Sequence, residues 1–261
     1  MDLVSAFVPN RAVSRTTTRI LIAGQVAVAL LIWINSPFPV LPQPGEVAKA
    51  FRVLWFEQGL GQELLTSFTM NLEALGLTVV ISLALSYLAV IPFFRPITAA
   101  VSKGRFLGLI GLTFVFTLLM GGGHPLKVGL LTFGMTVFFV TSMASVVAEI
   151  PLERLDHART LRMNEWQVVW EVVILGTFDR AIEVLRQNAA IGWMMLTMVE
   201  GISRSEGGVG AMLLNQNKHF HLAEVFAIQI TILVVGMLQD YGIGALGRLL
   251  CPWAELELKR V

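Results

Sequence analysis

Long apolar blocks separated by short charged segments constrain the fold of this 261-residue chain more than any other feature. The blocks are roughly 15 to 23 residues long, and about 20 apolar residues in a helix cross the ~30 Å hydrocarbon layer of a membrane. Only 14% of the residues are charged, against about 25% in an ordinary soluble domain. Backbone polar groups in lipid must be satisfied internally, and blocks without period-two alternation favour helices over a β-barrel. The sequence therefore predicts an all-α, polytopic membrane helix bundle.

The apolar blocks predict about six membrane spans. They cover approximately residues 20–34, 72–94, 106–121, 126–148, 184–200 and 222–238. The fifth block is the weakest, because Arg186 and Glu200 bracket a short apolar stretch. Omitting it would place the basic C-terminal residues outside, against the tendency of lysine and arginine to remain in the cytoplasm.

The distribution of basic residues predicts the orientation of the chain. With the N-terminus inside and six spans, most of the 19 lysines and arginines fall on the cytoplasmic side. The exceptions are Lys49, Arg52, Lys127, Arg204 and Lys218. Cytoplasmic loops carry an excess of basic residues, so both termini are expected in the cytoplasm. We expect a cytoplasmic segment over residues 1–19 and a single transmembrane domain over residues 20–261.

Two segments on the predicted outer side have their own patterns. In the stretch 46–68, helical spacing places several apolar side chains on one face, which predicts an amphipathic helix along the outer surface. These side chains are Val47, Ala50, Phe51, Leu54 and Trp55. The polar stretch 201–221 contains Gly207, Gly208 and Gly210. It predicts a tight turn, or a short helix that dips in against protein.

The longest cytoplasmic segment, residues 149–183, predicts two short amphipathic helices at about 151–175. Pro151 suits the first turn of one helix, and Asn164 suits the N-cap of the other. The apolar stripe of the first helix is Leu152, Leu155, Ala158 and Leu161, and that of the second is Trp166, Val169, Trp170 and Val173. Such a pair of helices either docks into a groove of a partner protein or links two spans along the membrane surface. Spacing alone slightly favours the connector.

The residues of this segment resemble a known family motif. Asp156-His157-Ala158-Arg159-Thr160-Leu161-Arg162, followed by Trp166-Gln167-Val168, resembles the coupling motif of inner-membrane permeases in binding-protein-dependent ABC importers. The nitrate, sulfonate, taurine and bicarbonate branch is the most similar. The family motif has a glycine where Arg162 stands and a proline where Leu175 stands. If the glycine position requires a positive φ, Arg162 costs roughly 1 kcal/mol there.

The resemblance implies a type I ABC-importer-like permease that couples closure of an ATPase to alternating access. It implies that the following residues contact the ATPase: Asp156, His157, Ala158, Arg159, Thr160, Leu161, Arg162 and Trp166. The sequence lacks a phosphate-binding loop of the form Gly-x-x-x-x-Gly-Lys-Ser/Thr, so ATP is expected on a separate chain. The other implied partners are a second permease copy, an extracytoplasmic substrate-binding protein and membrane lipid, with no nucleic acid. The implied location is the bacterial inner membrane, and no cofactor is expected on this chain.

A few polar residues within or beside the spans are candidates for lining a transport pathway, namely Asn188, Thr197, Glu200 and Gln229. Polar groups at membrane depth usually face the interior of the bundle, where packing between helices is an equally good explanation. The residues do not define the substrate. The resemblance implies a small solute, such as the anions sulfonate, nitrate or bicarbonate.

Two other classes of protein are alternatives. A transporter driven by an ion gradient would more often carry ionisable residues in the middle of its spans and an inverted repeat. A membrane-embedded enzyme would need a nucleophile–base pair or a metal cluster. His124, His157, His219 and His221 do not have the spacing of a metal site. We therefore expect a transport subunit without a metal and without catalytic residues.

Overall fold

The computed structural model describes residues 14–38, 40–203 and 207–253. These residues form helices joined by short connections, and the described residues contain no strand. The all-α prediction is therefore confirmed. The helices are α1 (Arg15–Ile34), α2 (Pro44–Phe56), α3 (Leu60–Leu88), α4 (Arg95–Lys103), α5 (Leu109–Met120), α6 (His124–Ala148), α7 (Leu152–Thr160), α8 (Glu165–Val168), α9 (Phe178–Ile202), α10 (Val209–Lys218) and α11 (Leu222–Leu250).

Among the described residues, four helices are long and apolar enough to cross a membrane on their own: α1, α3, α6 and α11. A fifth crossing is obtained if the segment Pro92–Phe106 and the helix Leu109–Met120 are counted as one broken span, bent by 118°. The polytopic membrane bundle is thus confirmed. Length and composition support four or five spans, and the predicted total of six is reached only if α9, the predicted fifth span, also crosses.

The core is formed where α3 packs along α6, α6 packs on α9, and α9 packs on α11. Leu131 and Leu196 are fully buried at its centre. Small residues let these helices approach closely, as is common in membrane bundles. A Cβ atom added to Gly192 of α9 would lie 2.8 Å from the sulfur of Met135 on α6. One added to Gly134 of α6 would lie 2.8 Å from the sulfur of Met195 on α9.

The predicted third span, 106–121, is wrong as a single crossing helix. The helix in this region, α5, has 12 residues, and at 1.5 Å per residue it is about 18 Å long, well short of a ~30 Å layer. Before it, a short 3-10 turn at Pro92–Phe94, α4, and a second 3-10 turn at Gly104–Phe106 form the other part of the bent segment. Proline lies at the start of the first 3-10 turn and of α4, and it has no N–H to continue a preceding helix. The 118° bend itself lies at Leu107 and Gly108, whose backbones are extended.

Two other boundaries differ from the sequence prediction. The second span was expected over 72–94, but α3 begins at Leu60 and ends at Leu88, ahead of Pro92. The fifth span was expected over 184–200, but α9 extends from Phe178 to Ile202. That helix has 25 residues, a length of about 37 Å, and is long enough to cross a bilayer. Its charged ends explain why hydropathy alone does not identify it as a span.

The expected amphipathic helix over 46–68 is in fact two elements. α2 ends at Phe56, and the rest of the stretch belongs to α3. Val47, Ala50 and Leu54 are buried, as the pattern predicts. Phe51 and Trp55 are exposed in the isolated chain and stack on each other with ring centroids 5.6 Å apart.

The glycine-rich stretch after α9 leads into the short helix α10, which packs against α9, α11 and α3. The expectation of a short helix held against protein is confirmed. In contrast, α1 is almost entirely exposed in the isolated chain, with 6% of its apolar window buried. Its C-terminal end is held by Trp33, whose indole N–H donates to the carbonyl oxygen of Pro42 at 3.0 Å.

Candidate functional site

The segment between α6 and α9 folds as a helical hairpin, and we call residues 151–175 the elbow. α7 ends at Thr160, and the chain then reverses through Leu161, Arg162 and Met163. Arg162 has a φ of 60°, in the left-handed region. The amide of Met163 donates to the carbonyl oxygen of Ala158 at 3.4 Å across this turn, a pattern typical of helix C-termini. The expectation that position 162 takes a positive φ is confirmed.

Asn164 starts the second arm of the elbow with a reciprocal cap. Its side-chain oxygen accepts from the amide of Gln167 at 2.8 Å, and the side chain of Gln167 accepts from the amide of Asn164 at 2.9 Å. Such a box satisfies two amides that the first turn leaves free. α8 continues through a π-helical segment, Val169–Ile174, and a 3-10 turn, Leu175–Thr177, directly into α9. The second arm is therefore continuous with a core helix.

Arg159 joins the two arms of the elbow. Its guanidinium donates to the Glu165 carboxylate at 3.1 and 3.2 Å, and to Asp156 at 3.1 Å. The hydrogen bond and charge of Glu165, followed by the hydrogen bond of Asp156, raise the pKa of Arg159 above its ordinary value. All three side chains are exposed, so each pair contributes little to stability. They connect the end of α7 to the start of α8 across the turn.

The elbow buries only part of its predicted apolar stripes. Ala158 and Val173 are buried, as expected. Leu161, Trp166 and Trp170 are exposed at 60%, 71% and 56%. The predicted stripe Trp166, Val169, Trp170 and Val173 is thus not a single buried face, because the π-helical segment changes the spacing between its ends. Asp156, His157, Thr160 and Arg162 are also exposed. The predicted ATPase-contacting residues thus lie on one hairpin, and all of them except Ala158 are exposed.

The four candidate pathway residues lie in different environments. Asn188 and Glu200 are buried inside the bundle. Thr197 is half-buried and donates to the carbonyl oxygen of Met194 in its own helix at 2.9 Å. Gln229 is exposed on α11. The structure does not bring these four side chains together around one cavity.

Glu200 belongs to a buried polar cluster that fastens α10 to α3 and α9. The hydroxyl of Ser67 donates to its carboxylate at 2.6 Å, and the amide of Gly210 donates to the other oxygen at 2.8 Å. The Ser67 oxygen in turn accepts from the amide of Val209 at 2.9 Å. Amides at the start of α10 are thus satisfied by two side chains from other helices. Gly208 has a φ of 104°, and a side chain there would overlap the Glu200 carboxylate.

Lys127 and Glu63 bind the same turn from α6 and α3. Lys127 is fully buried, and its ammonium donates to the carbonyl oxygen of Gly207 at 3.1 Å. Glu63 accepts from the amide of Gly208. Buried charges at membrane depth are retained only where they are paired or hydrogen-bonded. Sequence reasoning identified Glu200 and the glycines but missed Ser67 as a partner and Lys127 as a buried cation.

A second polar connection that sequence reasoning missed joins α9 to α11. The guanidinium of Arg186 donates to both carboxylate oxygens of Asp240, at 2.7 and 3.1 Å, and to the carboxylate of Glu183 at 3.0 Å. Nearby, the indole N–H of Trp193 donates to Gln239 at 2.7 Å. Arg186 is thus half of a bidentate ion pair, and Asp240 lies just beyond the predicted end of the sixth span.

Comparison with known proteins agrees with this arrangement. No protein-family model matches the chain. The chain is 26% identical over 254 residues to the taurine transport system permease protein TauC of Escherichia coli (strain K12), with 88% of each protein covered. The chain thus resembles an ABC importer permease over most of its length. A solved inward-facing structure of the MetNI methionine ABC transporter has the same fold, with a TM-score of 0.56 and 18% identity, and the match covers 76% of this chain and 97% of that chain.

The resemblance first inferred from the elbow sequence is therefore confirmed. The similarity to a transport permease supports the predicted role of a transport subunit rather than an enzyme. The likeness to MetNI, at 18% identity, supports the fold only. The contacts of the elbow and the lining of the pathway are inferred separately below.

Proposed function

We propose that this permease is the membrane subunit of an ATP-driven importer for a small organic anion of the sulfonate type. The observation that supports the substrate class is the 26% identity to a taurine permease over 88% of the chain. Two copies would form the pore, with a binding protein delivering the solute outside and two ATPase subunits acting inside. Both termini and the elbow would lie in the cytoplasm of a bacterium.

Within this proposal, the elbow receives force from the ATPase. Its exposed Leu161, Trp166 and Trp170 form an apolar surface next to charged side chains, which suits docking into a groove of a partner. The continuity of the second arm with α9 supports the transmission of movement into the bundle. Asp156 and Glu165 bind Arg159 and so connect the two arms of the hairpin that would receive the force from the ATPase.

Copurification with the ATPase subunit tests the elbow. We expect Leu161→Asp and Trp166→Asp each to weaken copurification by at least about tenfold, because each introduces a charge at the centre of an apolar contact. Phe220→Asp is the matched control, since Phe220 is 83% exposed but lies beyond α10 at the proposed outer face. Unchanged copurification of both elbow variants would contradict the coupling role. Loss in the Phe220 variant as well would indicate general misfolding.

A further inference from the structure

A groove between α3 and α6 opens on the side of the bundle, and we call it the α3–α6 groove. It has a volume of about 690 Å³. One wall is formed by Glu73, Leu77 and Ile81, which are spaced four residues apart on α3. The other wall is formed by α6, from His124 to Thr136, with Met120 of α5 at the same end as His124. These 12 residue steps on α6 make the groove about 18 Å long, so it reaches the middle of the helix.

The mouth of the groove carries a pair of ionisable side chains. Nε2 of His124 lies 2.8 Å from Oε2 of Glu73, and the two side chains are 47% and 52% exposed. His124 is the first residue of α6, and Glu73 lies 13 residue steps after the start of α3, so the pair lies at the end of the groove where α6 begins. An exposed ionisable pair beside a membrane-spanning bundle typically faces water or a pathway for polar solutes.

Two buried threonines line the groove deeper in. Thr132 and Thr136 are 8% and 7% exposed, and within the described part of the chain neither hydroxyl has a hydrogen-bond partner. Threonines in helices usually bind a carbonyl oxygen of the preceding turn. Several others here do so, namely Thr113, Thr117, Thr141 and Thr231. The groove therefore contains polar groups that the bundle itself does not satisfy.

We propose that the α3–α6 groove is a wall of the transport pathway and that Glu73 and His124 at its mouth recognise a zwitterion. The Glu73 carboxylate binds the ammonium group of the solute, and a ring N–H of His124 donates to its acidic group. When the solute binds, the contact between Glu73 and His124 is broken, and each side chain forms one contact with the solute instead. Thr132 and Thr136 then lie about 12 and 18 Å further along α6 as the next partners. This inference rests on the proposed function and narrows its substrate to amino-bearing acids, such as aminosulfonates.

Cysteine accessibility tests the position of the groove. In a Cys251→Ser background, Ile81→Cys introduces a thiol in the groove and Val80→Cys introduces one on another side of α3, where Val80 is 69% exposed. In the membrane-embedded complex, a charged water-soluble thiol reagent should modify the Ile81 variant at least about tenfold faster, since thiolates form only in contact with water. Equal rates, or faster modification of the Val80 variant, would overturn the proposal.

Uptake by the complex of permease, ATPase and binding protein tests the chemistry. We expect Glu73→Gln to lower taurine uptake by about tenfold or more, the usual size of a lost charge-assisted contact, while ethanesulfonate, which has no amine, changes less than about twofold. His124→Leu should lower both. Glu57→Gln, an exposed carboxylate at the end of α2, is the control and should leave both unchanged.

The outcomes distinguish failure of the sulfonate substrate class from failure of the zwitterion site at Glu73 and His124. If the wild-type complex takes up neither sulfonate, the proposed substrate class is wrong. If the wild type takes up taurine and Glu73→Gln reduces both solutes equally or neither, the zwitterion site alone is overturned. If the Glu73→Gln variant still prefers taurine over ethanesulfonate as the wild type does, the zwitterion site is likewise overturned.

Discussion

Arg162 holds the turn of the elbow in a conformation that most side chains avoid. Its φ of 60° places the Cβ atom near the following carbonyl group, which costs a non-glycine residue roughly 1 kcal/mol or more. Backbone hydrogen bonds offset this cost locally. The amide of Arg162 donates to the carbonyl oxygen of Arg159 at 2.9 Å, and the amide of Leu161 donates to the carbonyl oxygen of Ala158 at 3.1 Å. The exposed arginine is therefore a residue that the fold tolerates but does not require for stability.

Replacing this arginine with glycine should stabilise the protein. Arg162→Gly is expected to raise the free energy of unfolding by about 1 kcal/mol, or roughly 2–4 °C in the thermal midpoint in detergent. Arg154→Gly is the matched control, since it places glycine inside α7 and should lower stability by about 1 kcal/mol. A shift of the same sign in both variants would show that the left-handed conformation is not the source of strain.

Among single residues, local features were predictable and distant partners were not. The positive φ at Arg162 and the cap at Asn164 follow from patterns a few residues long. Ser67 binds Glu200 across 133 positions, and Arg186 binds Asp240 across 54. Nothing in a single sequence links such positions, because the contact exists only after the helices have packed. Thus the elbow was identified from sequence, whereas the polar cluster around Glu200 was not.

At the scale of elements, α10 depends on a close approach to α9. A Cβ atom on Gly210 would overlap the carbonyl oxygen of Thr197 and lie 2.7 Å from its Cα atom. Both are backbone atoms of α9, which cannot move aside as a side chain can. The buried bonds of Glu200 and Lys127 hold the turn at this short distance.

Adding one methyl group at this contact should displace α10. Gly210→Ala is expected to lower stability by about 1–3 kcal/mol, the usual cost of overpacking. Gly242→Ala in α11 is the control, because a Cβ atom there meets nothing within 4 Å and alanine favours the helix. Thermal unfolding of the two purified variants measures the difference. Equal midpoints would mean that α10 is not held against α9 in this way.

For the whole molecule, the number of crossings depends on α9. Hydropathy identifies four or five spans among the described residues. The charged residues of α9 make it too polar to be identified as a span in this way. The bent segment before α6 was also hidden from the sequence, since its apolar residues suggest one continuous helix. Apolar patterning thus predicted the class of fold and the position of the elbow, while the geometry of individual crossings depended on proline positions and on long-range ion pairs.

Reporter fusions should decide the topology. Alkaline phosphatase, which is active only outside the cytoplasm, is expected to be active when fused after Gly122 and inactive when fused after Arg162 or Trp253. This pattern follows from six crossings with both termini inside. An active fusion after Trp253 together with an inactive one after Arg162 would mean that α9 does not cross. An active fusion after Arg162 would place the elbow on the wrong side for an ATPase.

The helical path from Glu165 to Ile202 connects the second arm to α9 through a π-helical segment and a 3-10 turn, with no intervening loop. One end of this path is the elbow. The other end carries Glu200, whose carboxylate accepts from the amide of Gly210 at the start of α10. Over the roughly 37 Å of α9, a tilt of about 10° shifts the far end by about 6 Å. Under the proposed coupling role, a small rotation of the elbow would therefore displace the turn before α10 by several ångströms.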